Sequence, residues 1–113
     1  MRVAVIGSKS LKLDDLSIYI PDEITELISD GTTGIEVAAE RYACRNHIPR
    51  LIMRPAYGKY GDSAPQVRNK QIIRAADLVV ALWDGESHGI KSSIDYAEKL
   101  GIPVQLHIIP SNE

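Results

Sequence analysis

The sequence contains a single cysteine, and this shortage excludes two classes of protein. Cys44 can form no internal disulfide, and inside a helical pattern we expect its thiol to be a small buried group. One cysteine and three scattered histidines do not have the ligand spacing of a structural zinc site. Nothing else in the sequence indicates a metal or an organic cofactor.

Strong net charge and long apolar runs are also missing. A net charge of -2 provides no overall basic field for duplex nucleic acid, which is therefore not an expected partner. The apolar run at residues 3–6 is too short for a signal peptide or a membrane span. We therefore expect a cytoplasmic protein without a membrane partner.

Short apolar runs alternate with helical periodicity along the 113 residues, which we expect to form one domain, residues 1–113. Strands are predicted at residues 2–6, 23–29, 51–53, 77–83 and 104–109, and helices at residues 14–20, 34–46, 63–76 and 90–100. This alternation implies right-handed βαβ units. The predicted fold is α/β, a three-layer Rossmann-like doubly wound sheet of about five mostly parallel strands with helices on both faces. The strand at 77–83 is the most apolar and should be central.

A glycine loop stands where the second strand ends and the helix at 34–46 begins. Residues 29–36 read Ser-Asp-Gly-Thr-Thr-Gly-Ile-Glu. A helix N-terminus leaves backbone N–H groups unpaired, and glycines let a phosphate approach the main chain closely. Thr33 and Glu36 also have the spacing of a capping box, so Glu36 is either a helix cap or a ligand contact. By periodicity, Glu36 belongs to the solvated face of its helix.

In a doubly wound sheet, ligands bind beyond the carboxyl ends of the strands where the winding reverses, here between strands one and four. Arg68 is predicted in the first turns of a helix capped by Ser63, where a guanidinium suits an anionic ligand. It could instead pair with Asp62 or Asp84 at the surface. Trp83 is expected to be partly buried packing. The residues expected to contact a ligand are Gly7, Ser8, Gly31, Thr32, Thr33, Gly34, Glu36, Arg68, Asn69, Asp84, Gly85, Ser87 and Gly89.

Four segments in a fixed order carry a family resemblance: the glycine loop at 29–36, residues 57–61, residues 64–69 ending in Arg-Asn, and residues 76–89 with Trp-Asp-Gly. Together they resemble the SLOG superfamily, and more narrowly its small YspA-like branch of unknown function in bacteria and phages. The superfamily includes the Lonely Guy phosphoribohydrolases and DNA-processing protein A. The resemblance implies a Rossmann-like domain that binds a nucleotide or nucleotide-derived small molecule. Relatives often pair through helices on one sheet face, so it also implies a homodimer.

Two positions depart from the family pattern. Asp30 places a negative charge beside the glycine loop, which disfavours a triphosphate. The phosphoribohydrolases carry a glutamate that acts in breaking an N-glycosidic bond, and Ser93 stands at that position here. A serine cannot act as a carboxylate does in that reaction. The resemblance therefore favours binding without hydrolysis, and no catalytic residue is assigned unless Glu36 and Arg68 supply the chemistry.

Three functions follow as hypotheses. The first is the binding or sensing of a nucleotide or nucleotide-derived ligand. The second is an enzyme, a hydrolase or transferase acting on an N-glycosidic bond. The third is single-stranded nucleic-acid binding, with Arg54, Tyr57, Lys59 and Tyr60 as a platform for stacking and charge.

Overall fold

Five parallel strands form one sheet in the computed structural model, which describes residues 1–8, 10–13, 15–29 and 34–109. The sheet has the order β3-β2-β1-β4-β5, so the winding reverses between β1 and β4, as predicted. The strands are β1 (Arg2–Gly7), β2 (Glu26–Ser29), β3 (Arg50–Ile52), β4 (Leu78–Trp83) and β5 (Val104–Ile108).

Helices cover both faces of the sheet, which confirms the predicted Rossmann-like α/β fold. The helices are α1 (Gly34–Arg45), the short α2 (Tyr57–Tyr60), α3 (Ala64–Ala75) and α4 (His88–Leu100), with a 3-10 turn at Gly61–Ser63. One core cluster joins α1 to the face of the sheet that carries Val5 and Val80. The other joins α3 and α4 to the face that carries Ala4 and Ala81. In the part of the chain that the structure describes, no helix has the length and apolar character needed to cross a membrane.

The strand predicted to be central lies one place away from the centre. β1 occupies the middle of the sheet, and β4 pairs with it on one side, with Val5 opposite Val80. Both strands are buried over nearly their whole length because their side chains are apolar on both faces. Apolar content distinguishes interior strands from edge strands, but it does not rank two interior strands.

The helix predicted at 14–20 is wrong for the described residues 15–20, which form a turn at Ser17–Tyr19. Asp15 Oδ1 accepts a hydrogen bond from the backbone N–H of Ser17 at 2.9 Å. An aspartate that bonds the main chain two residues on stabilises a turn and competes with a helix. Leu16 and Ile20 are nevertheless buried and complete the core beside α1.

Several boundaries and local predictions also differ from the structure. The second strand begins at Glu26 rather than at residue 23, and α4 begins at His88 rather than at residue 90. Ser63 does not cap α3: its backbone is already helical because it ends the preceding 3-10 turn, and its side chain makes no capping hydrogen bond. Cys44 is exposed rather than buried, since it lies outside the packed face of α1.

Candidate functional site

A cleft of about 980 Å³ opens at the carboxyl ends of the strands, above the point where the winding reverses. This volume lies in the range of small-molecule sites. Its walls come from the end of β1, the start of α1, the segment after β3, α3, and the start of α4 with the loop before it. The lining residues are Ile6, Gly7, Ser10, Gly34, Glu36, Pro55, Tyr57, Pro65, Arg68, Asn69, Ile72, Asp84, Ser87, Gly89, Ile90 and Ser93.

Asp84 ties the loop after β1 to the loop after β4. Its Oδ2 accepts a hydrogen bond from Ser10 Oγ at 2.6 Å, and its Oδ1 accepts from the backbone N–H groups of Glu86 and Ser87, both at 2.8 Å. The Asp84 N–H in turn donates to the buried Ser8 Oγ at 3.1 Å. The two loops are thus held in one arrangement at the mouth of the cleft. Asp84 is a fixed acceptor there and not the surface partner of Arg68 that the sequence allowed.

These hydrogen bonds stabilise the charged form of Asp84. The Ser10 hydroxyl contributes most, followed by the N–H groups of Glu86 and Ser87, and together they lower the pKa of Asp84 from 3.8 to about 2. The carboxylate therefore remains ionised across the physiological range. Any ligand in the cleft meets a permanent negative charge on this side.

The lowered pKa predicts an acid-labile part of the stability. Because the folded pKa lies below the unfolded one, Asp84 stabilises the fold at pH values above about 4, and this contribution disappears as the pH falls towards about 2. We expect Asp84→Asn to lack this contribution to the free energy of unfolding. Denaturant unfolding of both proteins between pH 7 and pH 2 should give free energies of unfolding that differ at neutral pH and converge in acid. The Asp15 carboxyl, whose pKa is also lowered, is present in both proteins, so its contribution cancels when the two free energies are subtracted. Parallel curves would contradict the assignment.

The start of α1 places a buried carboxylate in the cleft wall. Glu36 is only 5% exposed and lines the cleft together with Gly34. The prediction that it lies on the solvated face is wrong, because Glu36 is buried where the start of α1 meets the segment after β1; a Cβ atom on the neighbouring Gly34 would lie 3.2 Å from the Leu11 carbonyl oxygen. A carboxylate in the first turn is stabilised by the positive end of the helix dipole. Thr33, its predicted partner in a capping box, lies outside the described residues.

Helix α3 contributes the cation of the site. Pro65 stands in its first turn, a position that suits proline because the missing N–H has no helical partner there. One turn later, Arg68 and Asn69 both line the cleft, and Arg68 Nε donates to Asn69 Oδ1 at 3.0 Å. This contact orients the guanidinium. Its planar fork is suited to phosphate or carboxylate.

The loop after β4 leads directly into α4. Gly85 adopts a φ of 87°, which favours glycine and turns the chain after the strand. Trp83 Nε1 donates to the Ser87 carbonyl at 3.0 Å, so the indole braces this turn. Gly89 follows in the first turn of α4, where a Cβ atom would meet nothing within 4 Å. Ser93 Oγ donates back to the Gly89 carbonyl at 3.2 Å, one turn along the helix.

A smaller cavity of about 370 Å³ adjoins the cleft between α3 and α4. The two share Asn69, Gly89 and Ser93 in their walls. Tyr96 borders the smaller cavity, and Lys70 Nζ lies 5.5 Å from the centre of its ring. The main cleft therefore continues into a groove between the two helices.

Eight of the thirteen residues expected to contact a ligand line this one cleft. They are Gly7, Gly34, Glu36, Arg68, Asn69, Asp84, Ser87 and Gly89. Ser8 and Gly85 do not line it: the Ser8 side chain bonds the main chain of Asp84, and Gly85 forms the turn. Gly31, Thr32 and Thr33 lie outside the described residues, as do Lys9 and Asp30. Contact with a ligand stays a prediction for all of them.

Sequence reasoning missed part of the lining. Ser10 stood in the loop expected to present ligand contacts after the first strand, and Tyr57 stood in a surface loop after the third, but neither was among the thirteen expected contacts; their positions after parallel strands are the available signal. The apolar floor of the cleft consists of Ile6, Ile72 and Ile90. These residues carried no such signal, because an isoleucine in a strand or helix looks the same in the sequence whether it lines a cleft or packs in the core. Pro55 and Pro65 carried no signal either. In the platform predicted for single-stranded nucleic acid, Lys59 Nζ lies 5.2 Å from the Tyr60 ring and Tyr57 turns to the cleft.

Comparisons of the chain with protein-family models, curated proteins and solved structures found no match.

Proposed function

We propose that this chain binds or senses a nucleotide or nucleotide-derived small molecule in the cleft at the carboxyl ends of β1 and β4. The observation that carries the proposal is the convergence of separate chain segments on one cleft. Residues from the end of β1, from α1, from α3 and from the β4–α4 loop, all expected to bind the ligand, share its lining. Spatial convergence of polar groups at a topological switch point is typical of ligand sites in this fold class.

The charges in the cleft support a ligand with few negative charges. Among the described lining residues, three side chains are formally charged: the Arg68 guanidinium and the carboxylates of Glu36 and Asp84. One guanidinium suits a single phosphate or carboxylate group, whereas the two carboxylates suit hydroxyl donors such as those of a ribose. A nucleoside monophosphate or a sugar-bearing derivative fits this balance better than a triphosphate. Tyr57 and Pro55 offer apolar surface for a base or sugar.

We also propose that the chain belongs to the SLOG superfamily, in its YspA-like branch. The order of its glycine loop, Arg-Asn and Trp-Asp-Gly segments supports this, and a Rossmann-like fold is what such membership requires. A bacterial or phage origin and action in the cytoplasm belong to the same proposal.

Ligand binding should depend on Arg68. We expect at least one of AMP, ADP-ribose and NAD to raise the melting temperature by several degrees at about 100 times its Kd, a stabilisation of about 2.7 kcal/mol. Arg68→Ala should weaken that ligand about tenfold to a hundredfold, because a charge-assisted hydrogen bond is lost. Calorimetric titration of both proteins measures the change.

Arg74→Ala is the matched control, since Arg74 is an exposed arginine on the same helix that does not line the cleft. It should bind as the unaltered protein does. If no nucleotide derivative shifts the melting temperature, or if Arg68→Ala keeps full affinity while folded, the proposed site is wrong.

A second candidate, cleavage of an N-glycosidic bond, is favoured by one observation. Glu36 is a carboxylate that is 5% exposed and lines the same cleft as Arg68. A buried carboxylate beside an anion site is the kind of group that glycosidic cleavage uses. Ser93, at the position of the family's glutamate, lines the cleft but bonds its own helix through its hydroxyl. Any such chemistry would therefore fall to Glu36.

The two candidates are separated by product analysis. If the chain is a glycosidase, AMP should release adenine, and Glu36→Gln should abolish the release while the protein stays folded, because an amide cannot act as a carboxylate does. Chromatography of the reaction mixture with each protein measures free base. Binding of AMP without adenine release would restrict the function to binding or sensing.

A further inference from the structure

The two edges of the sheet differ in how they are protected. At one edge, β3 has only three residues and begins with the exposed Arg50. Short length and charge are two of the usual features that prevent an edge from pairing with another chain. At the other edge, β5 has five residues, Val-Gln-Leu-His-Ile, with no acidic, lysine or arginine side chain. Prolines flank both strands, so length and charge distinguish the two edges, and β5 is the less protected of the two.

The register of β5 shows which of its backbone groups face outwards. The Val79 N–H donates to the Pro103 carbonyl at 3.0 Å, and the Ile109 N–H donates to the Trp83 carbonyl at 2.8 Å. Since groups directed at a neighbouring strand alternate along the chain, Val104, Leu106 and Ile108 direct their N–H and C=O groups away from β4. Within the described residues, no strand lies beyond them.

The same three residues present apolar side chains on one face. Val104 packs against the core beneath α4, but Leu106 is 42% exposed and Ile108 is 62% exposed. On the opposite face, His107 contacts the Tyr19 ring at a centroid distance of 4.8 Å. The open apolar surface of β5 therefore lies on the α4 side only. The exposed apolar side chains of β5, those of Leu106 and Ile108, therefore belong to residues whose backbone groups also face outwards.

We propose that β5 pairs with β5 of a second copy of this chain, antiparallel and centred on Leu106, to form a continuous sheet across two molecules. Leu106 then lies opposite Leu106 of the second copy, and Val104 lies opposite Ile108 of the second copy. Every outward N–H and C=O of these residues meets a partner group in this register, and the apolar side chains lie side by side.

The chemistry of the edge favours a second copy over another partner. A two-fold interface must be self-complementary, and β5 is, because it is apolar at alternate positions and its outward-facing residues are centred on Leu106. No acidic, lysine or arginine side chain meets its like across the axis. Two five-residue strands form a smaller contact than a stable interface has. The dimer should therefore be reversible and depend on concentration.

The dimer surface is separate from the cleft. No residue of β5 lines the cleft among the described residues. The test of the pairing is therefore independent of the proposed ligand, and variants in β5 should bind ligand as the unaltered protein does.

A charge-swap experiment on the full chain tests the register. Sedimentation velocity over a concentration series should show a dimer of the unaltered protein, and monomers for both Leu106→Lys and Leu106→Glu, since each places two like charges opposite one another. A mixture of the two variants should restore the dimer. Ile18→Lys is the matched control: Ile18 is 82% exposed but lies outside β5, so this variant should dimerise normally.

Disulfide formation provides a second measurement that needs no charge in the strand. Facing Cα atoms in a hydrogen-bonded antiparallel pair lie about 5.5 Å apart, within disulfide range. Leu106→Cys should therefore cross-link on oxidation beyond the background from the exposed Cys44 of the unaltered protein. A monomer at all concentrations, a Leu106→Lys variant that still dimerises, or a mixture that stays monomeric would overturn the self-pairing; the first would favour a strand of another protein as the partner.

Discussion

Gly7→Ala should lower the free energy of unfolding by about 3 kcal/mol or more, at the upper end of the cost of overpacking. Gly7 ends β1 directly beneath the first turn of α1. A Cβ atom at this position would lie 2.6 Å from Cγ1 of Ile35 and closer still to Cβ and Cγ2 of the same residue. Ile35 is fully buried and cannot move into free space. The added methyl group must displace α1 from the sheet or β1 from its neighbours.

Urea unfolding of the two proteins measures the loss. Gly58→Ala is the matched control, because a Cβ atom at Gly58 meets nothing within 4 Å and alanine suits a helix better than glycine does. It should unfold at the same urea concentration or a slightly higher one. If Gly7→Ala unfolds like Gly58→Ala, then α1 does not pack on β1 as closely as the structure shows.

Gly7 also illustrates what a glycine in a loop motif can and cannot indicate. The sequence suggested that it was a ligand contact, because it ends the first strand of a doubly wound sheet. The structure gives it a packing role that accounts for the glycine without any ligand. Gly85 is similar, since its φ of 87° accounts for glycine at the turn. A one-dimensional pattern does not separate close helix packing, backbone conformation and ligand approach, since all three select glycine.

The fold was predictable because its strongest signals are local. The apolar runs of β1 and β4 and the periodicity of α1 are read directly from neighbouring residues, and their alternation restricts the topology. The failures arose where the local conformation is decided by single contacts or by the turn that precedes an element. Asp15 holds a turn in place of a helix, and the backbone at Ser63 continues a 3-10 turn instead of capping α3. Such contacts leave no periodic pattern in the sequence.

The site was predictable only in part, because its geometry depends on long-range contacts. Arg68 and Asp84 could be expected near the strand ends, yet their partners could not: the sequence allowed them to pair with each other, whereas Asp84 bonds Ser10 and the main chain of its own loop. The burial of Glu36 is a second example. Periodicity assigns each helix one buried face, and it cannot anticipate that a residue outside that face is buried where the helix start meets the segment after β1.

Gly89→Trp should abolish ligand binding while leaving the fold intact, and this is the largest effect that we expect on affinity. Gly89 lines both the cleft and the adjoining groove, it has no left-handed backbone, and a Cβ atom there meets nothing within 4 Å. Neither packing nor conformation therefore requires glycine in this helix, where glycine costs about 1 kcal/mol relative to alanine. An indole at this position would occupy the volume that a ligand needs.

The expected result is a protein with an unchanged or slightly higher melting temperature that no longer binds the nucleotide derivative identified with the unaltered chain. Gly58→Trp adds the same side chain at an open glycine that does not line the cleft, and it should bind normally. Calorimetric titration compares the two variants. If Gly89→Trp retains affinity, the ligand does not cross Gly89, and the open glycine would then need another explanation. A loss of affinity shared by both variants would point to a general effect of tryptophan and not to the cleft.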